Sequence, residues 1–442
     1  MAHWIGPRGR TIVRTGTWSL LAKSSAAALY LLSIPLTYSA LDPVQFGMWA
    51  TLVSIVAFSN FMDFGIGNGC MNLIASAHGK GDAARAATVF RQGLLVLTAI
   101  ACTLFLVSLL GLLALPSANW LTEGSRAQAH VVPSLLLAVG VAVFSAPLSL
   151  GLRTRLATGR GDSAFKWQAA GHAGALLALF LASGHQPTLL SMTAAALVPP
   201  LLASGVNALT VGLHRDFRQP LPLTGPERRH LRSTIAREGG LFFVLQLAAA
   251  LTFSADLLLI TWLRGATEAG NYAVVQRLFS IVPMALSLVW APLWPIYRSA
   301  LATGNRAWVA RTLRFSTALA LGGALLISPL IMASHHHLLD VLAPGHPGAS
   351  LVLLAGFAIW TCFEAAGTSI ATFLNSASVL RFQVVSASIL ALSAVFAKAW
   401  VLVAWSPDLL PWATSTVYAA FFVLPLAFFW KSIWAAAMNR SY

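Results

Sequence analysis

Residues 92–115 read QGLLVLTAIACTLFLVSLLGLLAL and contain no charged side chain. A helix needs about 20 apolar residues to cross a hydrocarbon core about 30 Å thick, so this stretch predicts a transmembrane helix. Over the 442 residues of the chain, 57% are hydrophobic and only 9% are charged. This composition excludes a soluble globular protein and predicts an all-α, polytopic membrane protein.

Eleven further segments of similar length and polarity flank this one. The twelve predicted spans are 14–39, 47–74, 92–115, 131–152, 168–184, 189–213, 239–263, 270–297, 316–333, 349–374, 384–405 and 412–430. The first follows Arg8, Arg10 and Arg14, as a signal peptide would. Its length and the eleven later spans favour a retained membrane anchor.

The basic residues are distributed asymmetrically about these spans. All but five of the 28 Lys and Arg residues fall on one predicted side. Only Arg126 and Arg264 lie on the other side, and Lys23, Arg277 and Lys398 lie within spans. Because basic loops are retained on the cytoplasmic side, both termini are predicted to be cytoplasmic.

The chain divides at a basic segment, residues 214–238, into two predicted six-helix lobes at residues 1–213 and 239–442. Both sets of six spans begin on the same side. Gly47-Met48-Trp49 and Gly270-Asn271-Tyr272 occupy matching places in the two halves, which predicts a parallel pseudo-repeat. Two such lobes are typical of transporters with a substrate path between them.

This sequence lacks the motifs that are typical of other protein classes. No run of like charge indicates a nucleic-acid partner, and no GxxxxGK[ST] motif indicates ATP hydrolysis. The glycine-rich stretch Asp63–Gly69 ends an apolar span, so it predicts a helix break or close helix packing. No motif in the sequence indicates a catalytic residue or a cofactor, and transport is the predicted class.

A histidine cluster, His335–His337 with Asp340 and His346, lies in a predicted outside loop. Three consecutive histidines cannot all face one ion from a regular helix, and zinc sites require ligands in tetrahedral arrangement. We therefore predict no metal site here, and a polar mouth on the outside instead.

Several motifs resemble a known family. They are Gln45–Trp49, Met62–Asn68, Ser254–Ile260, Glu268–Leu278 and Ala291-Pro292. These stretches resemble the motifs of Wzx-type polysaccharide flippases, in the oligosaccharidyl-lipid branch of the MOP superfamily. The superfamily also contains lipid II flippases and, with the same fold, MATE-type antiporters. Some relatives have fourteen helices, whereas this chain has twelve predicted spans.

The resemblance implies a MATE/MOP-like fold in the bacterial inner membrane. It implies movement of an undecaprenyl-diphosphate-linked oligosaccharide, such as an O-antigen or exopolysaccharide unit, to the periplasmic leaflet by alternating access. The implied partners are membrane lipids, H+ or Na+ as coupling ion, and the polysaccharide polymerase machinery. Two alternatives are a MATE-like drug/cation antiporter, which would need a carboxylate-dominated cavity, and a membrane-embedded glycan polymerase or ligase, which commonly carries a large periplasmic loop.

The intramembrane cations are the candidates for binding the diphosphate, because an anion in the membrane requires positive partners. They are Arg277, Lys23 and Lys398. Arg277 ranks first, since it lies deep in its span within the family-like part of the chain. For each cation the alternative role is a structural ion pair.

The intramembrane carboxylates are the candidates for ion coupling or for charge pairing with those cations. They are Asp256, Asp63 and Glu364. Asp63 has the further option of capping free backbone N–H groups at the glycine-rich break. Trp290 and Trp294 are candidates for stacking on sugar rings, with an interfacial belt or simple packing as the alternative.

Overall fold

The computed structural model describes residues 7–57, 63–114, 128–286, 293, 297, 300–301, 305–377 and 380–438, and their regular structure is helical. The α-helices are α1 Pro7–Tyr38, α2 Pro43–Ala57, α3 Ile66–Gly79, α4 Ala83–Ala114, α5 Gln128–Ala157, α6 Gly161–Ser183, α7 Leu189–Gly212, α8 Gly225–Phe253, α9 Asp256–Arg264, α10 Ala266–Phe279, α11 Arg306–Leu342, α12 Leu351–Ser376, α13 Leu380–Ala404, α14 Leu410–Tyr418 and α15 Leu424–Met438. A π-helical segment, Ala419–Val423, joins α14 to α15.

Helices coincide with each of the twelve predicted spans in the described part of the chain. Eight spans are single helices or continuous helical runs long and apolar enough to cross a membrane, and the pair α8 and α9 forms a ninth that is bent by 46°. The other three consist of α2 with α3, of α6, and of α10 with the helical residues 281–286.

The chain divides into two compact units, Met1–Gln246 and Leu247–Tyr442, each with its own core. The core of the first unit contains Ile74 of α3, Leu97 of α4 and Leu150 of α5. The core of the second contains Phe373 of α12 and Tyr418 of α14.

The second predicted span is not one continuous helix. Phe64 and Gly65 have φ values of 50° and 73°, in the left-handed region that ends a helix. Glycine adopts this conformation freely, whereas Phe64 carries a steric cost. The helix break predicted for Asp63–Gly69 is therefore present, and α3 begins after it at Ile66.

The basic segment 214–238 is not an open loop. Its second part is helical, because α8 begins at Gly225. The Glu227 carboxylate accepts hydrogen bonds from the backbone N–H of Thr224 at 2.9 Å and from its hydroxyl at 2.8 Å, which caps this helix start. These two bonds hold the pKa of Glu227 below its usual value. The first part packs on α4, where the Leu221 N–H donates to Thr88 Oγ1 at 2.7 Å.

The prediction that His335–His337 lie in an outside loop is wrong. Helix α11 continues through them to Leu342, because the first helix breaker, Pro344, comes only after the leucines that follow. His335 is buried, and its Nδ1 lies 2.7 Å from the Met332 carbonyl oxygen. Within the described ranges, no group of three or more His, Cys, Asp and Glu residues is placed to hold a metal ion.

Candidate functional site

The bend between α8 and α9 contains a buried lysine from a third helix. Helix α8 ends at Phe253 and α9 begins at Asp256. A break frees backbone polar groups that lipid cannot satisfy, so protein groups must do so. The Lys398 ammonium of α13 donates to the Thr252 carbonyl at 2.5 Å. Lys398 therefore satisfies one of the backbone groups at the bend.

Lys398 also forms an ion pair with Asp256, through Nζ and Oδ1. Tyr272 of α10 donates its hydroxyl to Asp256 Oδ2 at 3.1 Å. Lys398 has no exposed surface, and Asp256, Tyr272 and Thr252 are all buried. A buried charge is tolerated only when it is paired and hydrogen-bonded. These contacts connect α8, α9, α10 and α13 into one polar cluster, the Asp256 cluster.

Two residues that the sequence placed in different roles thus meet in this cluster. Asp256 is a candidate for ion coupling and Lys398 a candidate for diphosphate binding.

Arg277 is buried on α10, the helix that carries Tyr272, with 5% of its surface exposed. Lys23 is half-buried on α1, in the first unit. Trp290 and Trp294 lie outside the described residues.

Glu364 of α12 lies among aromatic side chains. Trp360 lies one helical turn before Glu364 on the same helix. The Trp360 ring in turn contacts Tyr418 at 5.6 Å and Phe253 at 5.5 Å between ring centroids. The helix turn that carries Glu364 therefore packs into a cluster of aromatic rings. The sequence did not predict this cluster.

Helix α12 passes close to Tyr418 at Gly367, which gives a first testable prediction. A Cβ at position 367 would overlap the Tyr418 hydroxyl, so we expect Gly367→Ala to destabilise the second unit by about 1–3 kcal/mol, as overpacking does. Adding Tyr418→Phe removes that hydroxyl and is expected to restore part of the loss. Thermal unfolding of the purified variants measures both effects.

The control for this pair is Gly322→Ala on α11, where a Cβ would meet nothing within 4 Å. It is expected to unfold at the wild-type temperature or slightly above. Equal unfolding temperatures for Gly367→Ala and Gly322→Ala would contradict the close approach of α12 to Tyr418.

The first unit contains a second buried ion pair, at the break before α3. Asp63 Oδ2 lies 2.8 Å from an Arg153 guanidinium nitrogen of α5. Arg153 also donates to Asn68 Oδ1 at 2.7 Å, and Asp63 Oδ1 accepts the N–H of Gly65 at 2.9 Å. Asp63 is 1% exposed. It therefore caps the break and also anchors α3 to α5.

Sequence reasoning missed Arg153, because it belongs to the basic group that ends the fourth predicted span. The signal was present nonetheless. A carboxylate in an apolar stretch requires a cation, and Arg153 is the first basic residue beyond the span 131–152.

A polar cavity of about 170 Å³ lies next to this pair, between α5, α6 and α7. Its polar lining includes Ser145, Ser149, Arg153, Gln168 and Asn207, with Trp167 beside them. Arg155 donates to Asn207 Oδ1 at 2.6 Å and so orients that amide. Space for about five water molecules, lined by donor groups, suits a hydrated or anionic group.

The sequence pattern of one protein family matches this chain. The family is described as "Polysaccharide biosynthesis protein", and the match covers residues 12–297. It includes Asp63, Arg153, Asp256 and Arg277. No curated protein matches the chain by sequence.

Solved structures of MOP superfamily transporters share the fold. An inward-facing multidrug resistance MATE family transporter matches with a TM-score of 0.74 and 14% identity, over 97% of this chain and 100% of that one. A MOP superfamily transporter from Pyrococcus furiosus, whose binding pocket is described as reversed in polarity, matches with a TM-score of 0.66 and 14% identity, over 99% and 98%. An outward-facing MATE family transporter matches with a TM-score of 0.67 and 14% identity, over 98% and 97%.

These findings confirm the predicted all-α MOP-like fold, with which the twelve predicted spans are consistent, and the resemblance drawn from Gln45–Trp49 and Met62–Asn68. They also confirm a multi-pass membrane protein. The structural matches show the fold, whereas the sequence pattern extends over more than half of the chain. The chain therefore belongs to the polysaccharide biosynthesis protein family, and it has the fold of MOP superfamily transporters.

Proposed function

We propose that this protein is a flippase for an undecaprenyl-diphosphate-linked oligosaccharide. It moves the repeat unit from the cytoplasmic to the periplasmic leaflet of the bacterial inner membrane by alternating access, with both termini in the cytoplasm. The observation that carries the proposal is a buried arginine, Arg277, in a membrane helix of the family-matched region. Ionisable residues within membrane spans mark substrate pathways, and an arginine there supplies the positive charge that a diphosphate requires.

The proposal assigns the diphosphate first to Arg277 and second to Lys23. Lys398 is the third candidate for the diphosphate. Its ammonium group is held by Asp256 and by the Thr252 carbonyl, so we propose that it contributes to transport through its ion pair with Asp256. Trp290 and Trp294 remain the proposed positions for stacking on sugar rings.

Coupling to H+ or Na+ is assigned to Asp256, with Asp63 and Glu364 as further candidates. An ion that neutralises the Asp256 carboxylate weakens its attraction to Lys398 and its bond from Tyr272. The backbone at the bend of α8 and α9 then loses its fixed partner. Ion binding at Asp256 would therefore change the stability of the bend between α8 and α9. A change in this bend would shift the equilibrium between the conformations of the transport cycle.

A second candidate function is export of organic cations by a MATE-like antiporter. The fold similarity to MATE family transporters favours it. The ion pairs oppose it, since a site for cations requires carboxylates that are open to the substrate, whereas Asp256 and Asp63 are already paired with Lys398 and Arg153.

Arg277→Ala is expected to abolish glycan translocation without lowering the amount of protein in the membrane. The reason is that the diphosphate loses its principal cation. The assay is restoration of surface polysaccharide in a strain that lacks its own flippase. Arg277→Lys, which keeps the charge, is expected to retain part of the activity.

The matched control is Arg311→Ala, on an exposed face of α11, which is expected to restore polysaccharide like wild type. Normal export by Arg277→Ala would remove Arg277 from the site. Resistance to cationic compounds, without restored polysaccharide in several glycan backgrounds, would replace the flippase by the antiporter.

A further inference from the structure

A cationic cavity of about 330 Å³ lies on the surface of the first unit, between α4 and the basic segment that precedes and begins α8. Three arginines line it: Arg91 on α4, and Arg228 and Arg232 one turn apart on α8. All three are exposed. We call this the three-arginine cavity.

Hydrogen bonds between the two walls hold the cavity in shape. The Leu221 N–H donates to Thr88 Oγ1 at 2.7 Å across the cavity floor. Arg232 Nε donates to Gln92 Oε1 at 3.2 Å, and Gln92 is itself buried with 9% exposed. Residues 221–232 are thus fixed to α4 at two points, one before α8 and one on α8.

The charged side chains that line the cavity are all positive. In the part of the chain that the structure describes, no ion pair involves Arg91, Arg228 or Arg232. The neighbouring acid, Glu227, is engaged by Thr224 at the helix cap. Three guanidinium groups around one space repel each other unless an anion lies among them, and phosphate is an anion that arginine binds in bidentate fashion.

An apolar track leads from the cavity along α4. Leu95 lines the cavity one turn beyond Arg91 and is 50% exposed. Leu106 and Leu110 continue on the same helix face and are 53% and 55% exposed. At 1.5 Å per residue, Leu106 lies about 22 Å from Arg91, which is the depth an acyl chain reaches from its headgroup in one leaflet.

We propose that the three-arginine cavity binds the phosphate headgroup of an anionic membrane phospholipid, whose acyl chain lies along α4. A bound headgroup would join Arg91 of α4 to Arg228 and Arg232 of α8, and so fasten the start of α8 to α4. The site differs from the residues assigned to the transported substrate and does not depend on its identity.

The test counts lipids retained by the purified full-length protein in native mass spectrometry after incubation with phosphatidylglycerol or phosphatidylcholine. Wild type is expected to retain one phosphatidylglycerol that the variant Arg91→Gln/Arg228→Gln/Arg232→Gln loses. The same lipid is expected to raise the unfolding temperature of wild type only. The control Arg85→Gln/Arg229→Gln/Arg237→Gln removes the same charge from exposed arginines outside the cavity and is expected to behave as wild type.

Three results would overturn the proposal. Equal loss of lipid in both triple variants would show attraction by net charge alone. Equal stabilisation by inorganic phosphate would show an anion site without a lipid. Retention of undecaprenyl diphosphate but not of phosphatidylglycerol would assign the cavity to the transported lipid.

If the triple variant does not fold, Arg228→Gln alone replaces it, and this single variant is expected to retain less phosphatidylglycerol than wild type. Because no transport is measured, this test fails or succeeds independently of the proposed function.

Discussion

Lys398→Met is expected to destabilise the protein by about 3–5 kcal/mol, the cost of leaving a buried charge without its partner. The Asp256 carboxylate, 7% exposed, loses its cation. The Thr252 carbonyl at the bend of α8 and α9 loses its donor as well. Asp256→Asn/Lys398→Met removes both charges at similar volume, so we expect it to unfold at a higher temperature than Lys398→Met alone.

Thermal unfolding in one detergent, together with the amount of protein in the membrane, measures this cycle of variants. The control is Lys431→Met, because Lys431 is exposed on α15 and its loss is expected to change stability by less than about 0.5 kcal/mol. If the double variant loses the sum of the two single losses, the residues do not act as a pair.

Gly67→Ala is expected to have a comparable effect in the first unit. A Cβ at position 67 would lie 2.5 Å from Arg153 Nη1 and 2.6 Å from Asp63 Oδ2. The added methyl group can be accommodated only if the guanidinium and carboxylate separate, which adds the cost of a weakened buried ion pair to the overpacking cost of about 1–3 kcal/mol. We expect strongly reduced abundance in the membrane and a lower unfolding temperature.

Gly79→Ala is the matched control, because it lies on the same helix and a Cβ there would meet nothing within 4 Å. It is expected to accumulate as wild type does. A Gly67→Ala variant with wild-type stability would show that the Arg153 side chain moves away from Asp63 at no cost.

Much of the fold could be predicted from local properties of the sequence. The length of an apolar stretch reports directly on its ability to span a membrane, and every predicted span coincides with helix in the described residues. The break at Gly65 could be predicted too, since glycine marks it. The helical course of α11 through His335–His337 could not, because polar residues at the end of a span remain helical when the helix projects beyond it.

The bend between α8 and α9 was also beyond prediction. It occurs at Ser254 and Ala255, neither of which is a strong helix breaker. What maintains the bend is Lys398, a residue 142 positions away from Asp256 in the sequence. A break that is stabilised by a distant side chain leaves no local signal.

By itself, the sequence determined the membrane class, the positions of the apolar spans, the family and the charges that had to be satisfied within those spans. Tertiary structure alone decided which charges meet: Asp256 with Lys398, and Asp63 with Arg153. The physical reason is that hydrophobic length is a property of each segment, whereas the partner of a buried charge depends on which helix faces pack together.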